Sequence, residues 1–140
     1  MSATRVSRTL EGDAAHRMVA AAVAKGRERG CSVNAAVVDA GGQLLAFLRE
    51  PGAPLHSIDI AIDKAYTAAS FRCATPELYA AVAEPPALRD GILARPRLVA
   101  FGGGLPIDAD GHHVGGVGIS GGSEADDVAC AEAALAALRG

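Results

Sequence analysis

Large aromatic side chains are scarce in this sequence, with no Trp, two Tyr and three Phe in 140 residues. Surfaces that stack nucleic-acid bases are built from such rings. The net charge is −3 with both signs dispersed, so charge gives no reason to expect a nucleic-acid partner either. Long apolar runs are missing too. None reaches the ~20 residues of a membrane-spanning helix. Met1–Leu10 carries Arg5 and Arg8 without the apolar stretch that follows them in a secretory signal. The expectation is a cytoplasmic protein with no membrane partner. Cys31, Cys73 and Cys130 are odd in number, far apart and never in a C-x-x-C pair. That suits reduced core residues, not a disulfide framework or a zinc site. Neither G-x-x-x-x-G-K-[ST] nor G-x-S-x-G occurs, which removes the phosphate-loop and hydrolase-elbow readings.

What the chain has is glycine, concentrated in one place. Nine of its seventeen glycines lie between Gly102 and Gly122. The stretch Val99–Ser123 reads as a β-ribbon that ends against a helix N-terminus, because Ser123 opens a run with helical spacing. Unpaired amides at a helix start attract anions. Gly103, Gly104, Gly121, Gly122 and Ser123 are therefore the expected cradle for a small-molecule ligand bearing a carboxylate. Gly116–Gly121 also matches G-x-G-x-x-G. A dinucleotide fold needs a further strand and an acid about 20 residues on, and the sequence has room for neither.

Half of the residues are hydrophobic, and one domain over residues 1–140 is expected. Leu10, Ala14, Ala15, Met18, Val19, Ala22 and Val23 form an apolar stripe that predicts a helix over Thr9–Arg29, stopped by Gly30. Ser32–Arg49 predicts a hairpin turning at Asp39–Gly42. Both of its strands are apolar on nearly every position, so both are expected to be covered on both faces. Ala53–Phe71 predicts a second helix and Thr75–Glu84 a short third. The segment to Arg97 predicts a loop with at most one helical turn at Ala87–Ile92. Short strands are expected near Leu98, Leu105 and Val114–Ile119, and a last helix over Ser123–Leu138, with Ser123 and Asp126 as its capping box and Val128, Ala131, Leu135 and Leu138 facing the core. Hairpin-joined strands with helices in blocks point to an α+β antiparallel sheet.

Four sites carry chemistry. His56, Asp59 and Asp63 share one helix face, as a solvated ion-pair surface, a divalent-metal site or an oriented base. Lys64 lies beside the apolar stripe and either snorkels to solvent or carries its ammonium into a pocket. His112 and His113 are adjacent on a strand and face opposite ways, so at most one enters any given pocket. Arg89, Arg95 and Arg97 are solvent-facing loop residues or a grip for an acidic ligand.

Val37–Gly42, Lys64–Ala68, Phe101–Pro106 and Gly118–Gly122, in this order and spacing, resemble the motifs of the GlcG/HbpS family. This is the haem-degrading-domain or DUF336 group, which also supplies the C-terminal domain of PduO-type proteins. The resemblance covers nearly the whole chain. It implies a profilin-like or PAS-like five-stranded antiparallel sheet flanked by helices, assembly into homo-oligomers, and haem or corrinoid-related binding in some members. Two functions follow as expectations. One is haem binding, with His16, His56, His112 or His113 as iron ligand and Lys64 or an arginine pairing a propionate. The other is a cofactor-free isomerase, tautomerase, lyase or hydrolase acting on a small organic acid. In it His56, His112 or His113 is the general base, Lys64 the electrostatic partner, and Gly121, Gly122 and Ser123 the carboxylate cradle.

Overall fold

A computed structural model describes residues 1–139; Gly140, the last residue of the expected domain, lies outside the described residues. In chain order the elements are α1 (Gly12–Glu28), β1 (Asn34–Asp39), β2 (Leu44–Arg49), α2 (Ser57–Phe71), α3 (Thr75–Val82), α4 (Pro86–Leu93), β3 (Gly104–Ala109), β4 (His112–Ser120) and α5 (Glu124–Arg139). The strands form one antiparallel sheet in the order β2-β1-β4-β3. The architecture is α+β, as expected.

Strand period places the layers. Ala35, Val37, Val117, Ile119 and Ile107 face one side and join the α1 stripe, Cys130, Ala131 and Ala134 in the larger core. Ala36 and Val38 face the other side and meet Ala61, Ala65 and Ala69 of α2. All seven residues of the expected α1 stripe are buried. The hairpin turn is also as expected: the Asp39 carboxylate accepts the amides of Gly41 and Gln43, both at 2.9 Å.

The glycines of β4 explain how α2 lies so close to the sheet. A Cβ on Gly118 would sit 2.1 Å from the Ala61 carbonyl oxygen and 2.4 Å from the Ala65 nitrogen, both backbone atoms that cannot yield. Gly116 meets the Ala65 carbonyl oxygen at 2.3 Å in the same way. Their absent side chains are the contact surface for a helix.

Four expectations are corrected. The sheet has four strands among the described residues, not five, because the segment at Leu98 spends its backbone hydrogen bonds elsewhere. The Thr67 hydroxyl donates to the Arg97 carbonyl at 2.9 Å and accepts from the Val99 amide at 3.2 Å. The Thr75 hydroxyl likewise donates to the Phe101 carbonyl at 2.6 Å and accepts from the Gly104 amide at 3.1 Å. The expected loop before Arg97 contains the helix α4, started by Pro86 and by two amides that share the Pro85 carbonyl. None of its residues is fully buried, and two turns are too short to show a long apolar stripe. Strand β2 is a sheet edge with Leu44, Leu45 and Leu48 exposed, so only β1 is covered on both faces. Finally, α5 is turned so that Asp127, not Val128, is buried.

Candidate functional site

The loop before α5 folds back against α2, and side chains fill the corner between them. Lys64 is fully buried. Its ammonium donates to the Ile119 carbonyl at 2.7 Å and to Asp127 Oδ2 at 3.1 Å, and lies 4.9 Å from the centre of the Phe101 ring. Snorkelling is thus excluded: the stem follows the apolar stripe inward and the charge is met inside. Burial lowers the Lys64 pKa, opposed by Asp127, and raises that of Asp127, opposed by Lys64. Each charge is costly to bury, and the pair persists through its hydrogen bonds.

The expected cradle lies in the same corner, and its amides are already engaged. The Gly122 amide donates to Asp127 Oδ1 at 3.0 Å. The Ser123 amide donates to Asp126 Oδ2 and the Asp126 amide to Ser123 Oγ, both at 3.1 Å, completing the expected capping box. The carboxylates at this helix start are therefore the chain's own. Gly103 has φ +124°, and a Cβ there would lie 2.7 Å from both the Lys64 ammonium and the Ile119 carbonyl oxygen. Gly104 and Gly121 also have backbone atoms within 2.7 Å of a notional Cβ. Gly103 and Gly104 are packed interior, while Gly122 and Ser123 lie nearer the surface with their amides taken by Asp127 and Asp126, so the cradle expected for an outside ligand is corrected to an internal cap.

Outside the corner, Asp126 accepts from Arg29 Nε at 2.8 Å, and this bond with the Ser123 contacts lowers the Asp126 pKa. Burial pushes the Cys130 thiol up to about 11, so it stays protonated and inert. All three cysteines are free.

The remaining expected residues are dispersed. His56 is exposed and precedes α2 as its N-cap, without a capping hydrogen bond. Asp63 is taken by Arg97 Nε at 3.1 Å, and the Arg97 guanidinium stacks on Tyr66 at 3.6 Å. The face carrying His56, Asp59 and Asp63 is thus partly consumed by an ion pair, and no cluster of three metal-ligating side chains exists among the described residues. Arg89 pairs with Asp90. His16 and His112 are exposed.

His113 is different. Its side chain is only 10% exposed, and both ring nitrogens are buried without a hydrogen-bond partner. Asp108 Oδ1 lies 3.7 Å from Nδ1, beyond hydrogen-bonding reach. His113 lines a hollow of about 220 Å³ together with Gly41, Gly42, Tyr66, Ser70 and Arg72. Tyr66, Ser70 and Arg72 were not among the expected site residues. Tyr66 lies within the Lys64–Ala68 motif, and no sequence pattern marks Ser70 or Arg72; Arg72 follows α2 in the left-handed conformation (φ 55°) where glycine is the usual helix stop.

A family model described as haem degrading protein, HbpS-like, matches residues 10–136. The corrinoid adenosyltransferase PduO of Citrobacter freundii is 39% identical over 140 residues. That match takes in 98% of this chain and 42% of PduO, so the chain spans less than half of that relative. Among solved structures, protein ORFY of Klebsiella pneumoniae superposes with a TM-score of 0.92 at 34% identity, covering 99% of this chain and 97% of ORFY. The haem complex of PduOC superposes with a TM-score of 0.83 at 37% identity, covering 92% of this chain and 94% of that one.

Proposed function

This chain belongs to the HbpS-like family, and from that premise we propose that it binds haem, or a related tetrapyrrole, on an open face through an exposed imidazole. The observation that carries the reading is its likeness, at 37% identity over 92% of its length, to a protein solved as a haem complex. The chain's own features decide where such a ligand could lie. The hollows described measure about 200 to 370 Å³, against roughly 300–1,000 Å³ for sites enclosing drug-sized ligands. The 370 Å³ hollow at Gly102 and Val128 is flanked by Glu124 and Glu132, whose charge repels propionates. These residues fit the iron better than they fit an enclosed macrocycle. His16, His56 and His112 present exposed imidazoles, and haem bound through one of them lies on the surface or between copies of the chain.

In this reading Lys64 is a structural cation: pairing it with a propionate would strand the buried Asp127. A homo-oligomer draws support from the two sheet edges. β3 carries Pro106, which cannot donate to a neighbouring strand, whereas β2 exposes Leu44, Leu45 and Leu48. The profilin-like description rests on the hairpin-built sheet with helices on both faces. The free cysteines suit a cytoplasmic setting, and no helix among the described residues is long and apolar enough to cross a membrane.

Adding hemin to the purified chain tests the reading. The expected outcome is a sharp Soret band that saturates near stoichiometric hemin and is lost on replacing one of His16, His56 and His112 by Ala. No sharp band, or one that survives in the variant lacking all three imidazoles, would overturn ligation by these residues.

A further inference from the structure

One helix of this chain finds no place in its core, and one groove has the chemistry to receive it. No residue of α4 is fully buried. Its apolar residues Leu88 and Ile92 stand one turn apart on a shared face, and Leu88 is 45% exposed. A short amphipathic helix with an open apolar face is the form in which one protein segment docks into the apolar groove of another. Arg89 borders that face, and Arg95 follows just beyond the helix. Arg95 makes no ion pair among the described residues. Arg89 bonds only its neighbour Asp90, an exposed contact of little strength. At 3.6 residues per turn, Asp90 falls on the side of α4 away from Leu88 and Ile92.

The groove lies at the other end of α3. Pro76, in the first turn of α3, and Val128 and Ala129 of α5 line a hollow of about 370 Å³, with Glu124 and Glu132 beside it. No basic side chain lines it, and no residue of this copy's own α4 does. Glu124 gives one oxygen to the Gly102 amide and keeps its charge; Glu132 is exposed and makes no ion pair among the described residues. Phe101, next to Gly102 in the wall, and Tyr79, one turn after Pro76, are also exposed and extend the apolar surface past the groove.

We propose that this groove receives α4 of a second copy of the chain, with Leu88 and Ile92 on its apolar floor and Arg89 and Arg95 against Glu132 and Glu124. The contact rests on the homo-oligomer reading above and names the surfaces that form it. Charge and polarity match on both sides: acids border the groove, and arginines border the helix. The two surfaces are tied to opposite ends of the eight-residue α3. A two-fold axis beside α3 therefore brings each α4 to the other copy's groove and makes the same contact twice. A stable interface buries about 800 Å² per partner, more than one two-turn helix covers, and reciprocity doubles the contact.

Sedimentation velocity of the intact chain without hemin, from about 1 to 100 μM, tests this. The parent chain is expected to self-associate. Leu88→Asp, at an exposed position that leaves the core untouched, is expected to weaken association by about a hundredfold. Arg89→Glu and Glu132→Arg are each expected to weaken it by about tenfold, because each sets like charges together. Mixing these two variants in equal amounts is expected to restore association, because every contact of the mixed pair then joins opposite charges. Circular dichroism checks that each variant is folded. A monomeric parent chain overturns both this contact and the homo-oligomer reading. An assembly that survives Leu88→Asp leaves the homo-oligomer standing on another surface, the β2 edge included, and overturns this contact alone. A mixture that associates no better than its components does the same.

Discussion

Two basic side chains are buried in this protein, and they are treated in opposite ways. Lys64 has its ammonium bonded to a carbonyl and a carboxylate, with an aromatic ring beside it. His113 has two ring nitrogens and no partner for either. The first is wrapped by the glycine-rich loop and the start of α5; the second lines a hollow. A buried group with its charge answered internally holds elements together and has little left to offer a ligand. A buried group left without a hydrogen bond carries a standing cost to the fold, as the Asn34 Oδ1 and Arg49 Nε atoms also do. The chemistry expected at the glycine-rich corner is consumed there by the chain itself, and the unmet hydrogen-bonding capacity lies at the other residue.

The contrast breaks most sharply at the ion pair. Asp127→Asn or Lys64→Met alone leaves one buried charge without its partner and should cost about 3–5 kcal/mol in urea unfolding. The double variant Lys64→Met, Asp127→Leu should cost clearly less than the two single losses added. Additive losses would mean that the two side chains do not act as a pair. At the other pole, His113→Gln removes no hydrogen bond and should change stability by about 1 kcal/mol or less. A loss as large as that of the Lys64 variants would show His113 to be as structural as the lysine.

The smallest effect sharpens the rim of the closed corner. The Asp126 pKa is lowered from 3.8 by Arg29 and the Ser123 contacts, so the folded state holds its carboxylate charged more firmly than the unfolded chain does. That stability is present above the unfolded pKa and is lost as pH falls through the folded one. Acid titration below about pH 4 should therefore show a shallower loss of stability in Asp126→Asn than in the parent chain. Arg29 is exposed and Asp126 half-buried at the surface, so the difference is small and shrinks with added salt.

Much of this was legible along the chain. The α1 stripe, the Asp39–Gly42 turn and the Ser123–Asp126 cap are local patterns, set by residues within a few positions of one another. The glycine-rich stretch was legible as well, as a place where the backbone turns or another group comes close. What the approaching group would be was not. Glycine marks a place where something comes near, and an external ligand or the chain's own helix would write the same pattern; here it is α2, against Gly116 and Gly118. Helix α4 was read only as a single turn because it is two turns long and none of its residues is fully buried, and the Leu98 strand was expected because apolar residues there resemble a strand whose backbone partners are in fact hydroxyls.

The resemblance to the GlcG/HbpS family rests on four ordered motifs, while periodicity by itself determined the α+β class and the α1 face that joins the core. Those properties depend on spacing that repeats every two or about 3.6 residues, which a linear sequence displays directly. Only the tertiary structure decided that Lys64 meets Asp127, 63 positions away, and that the His113 ring is buried without a hydrogen bond. Pairing between distant side chains depends on how α2 and α5 pack against the sheet, and a few ångströms there separate a satisfied ion pair from an unpaired side chain.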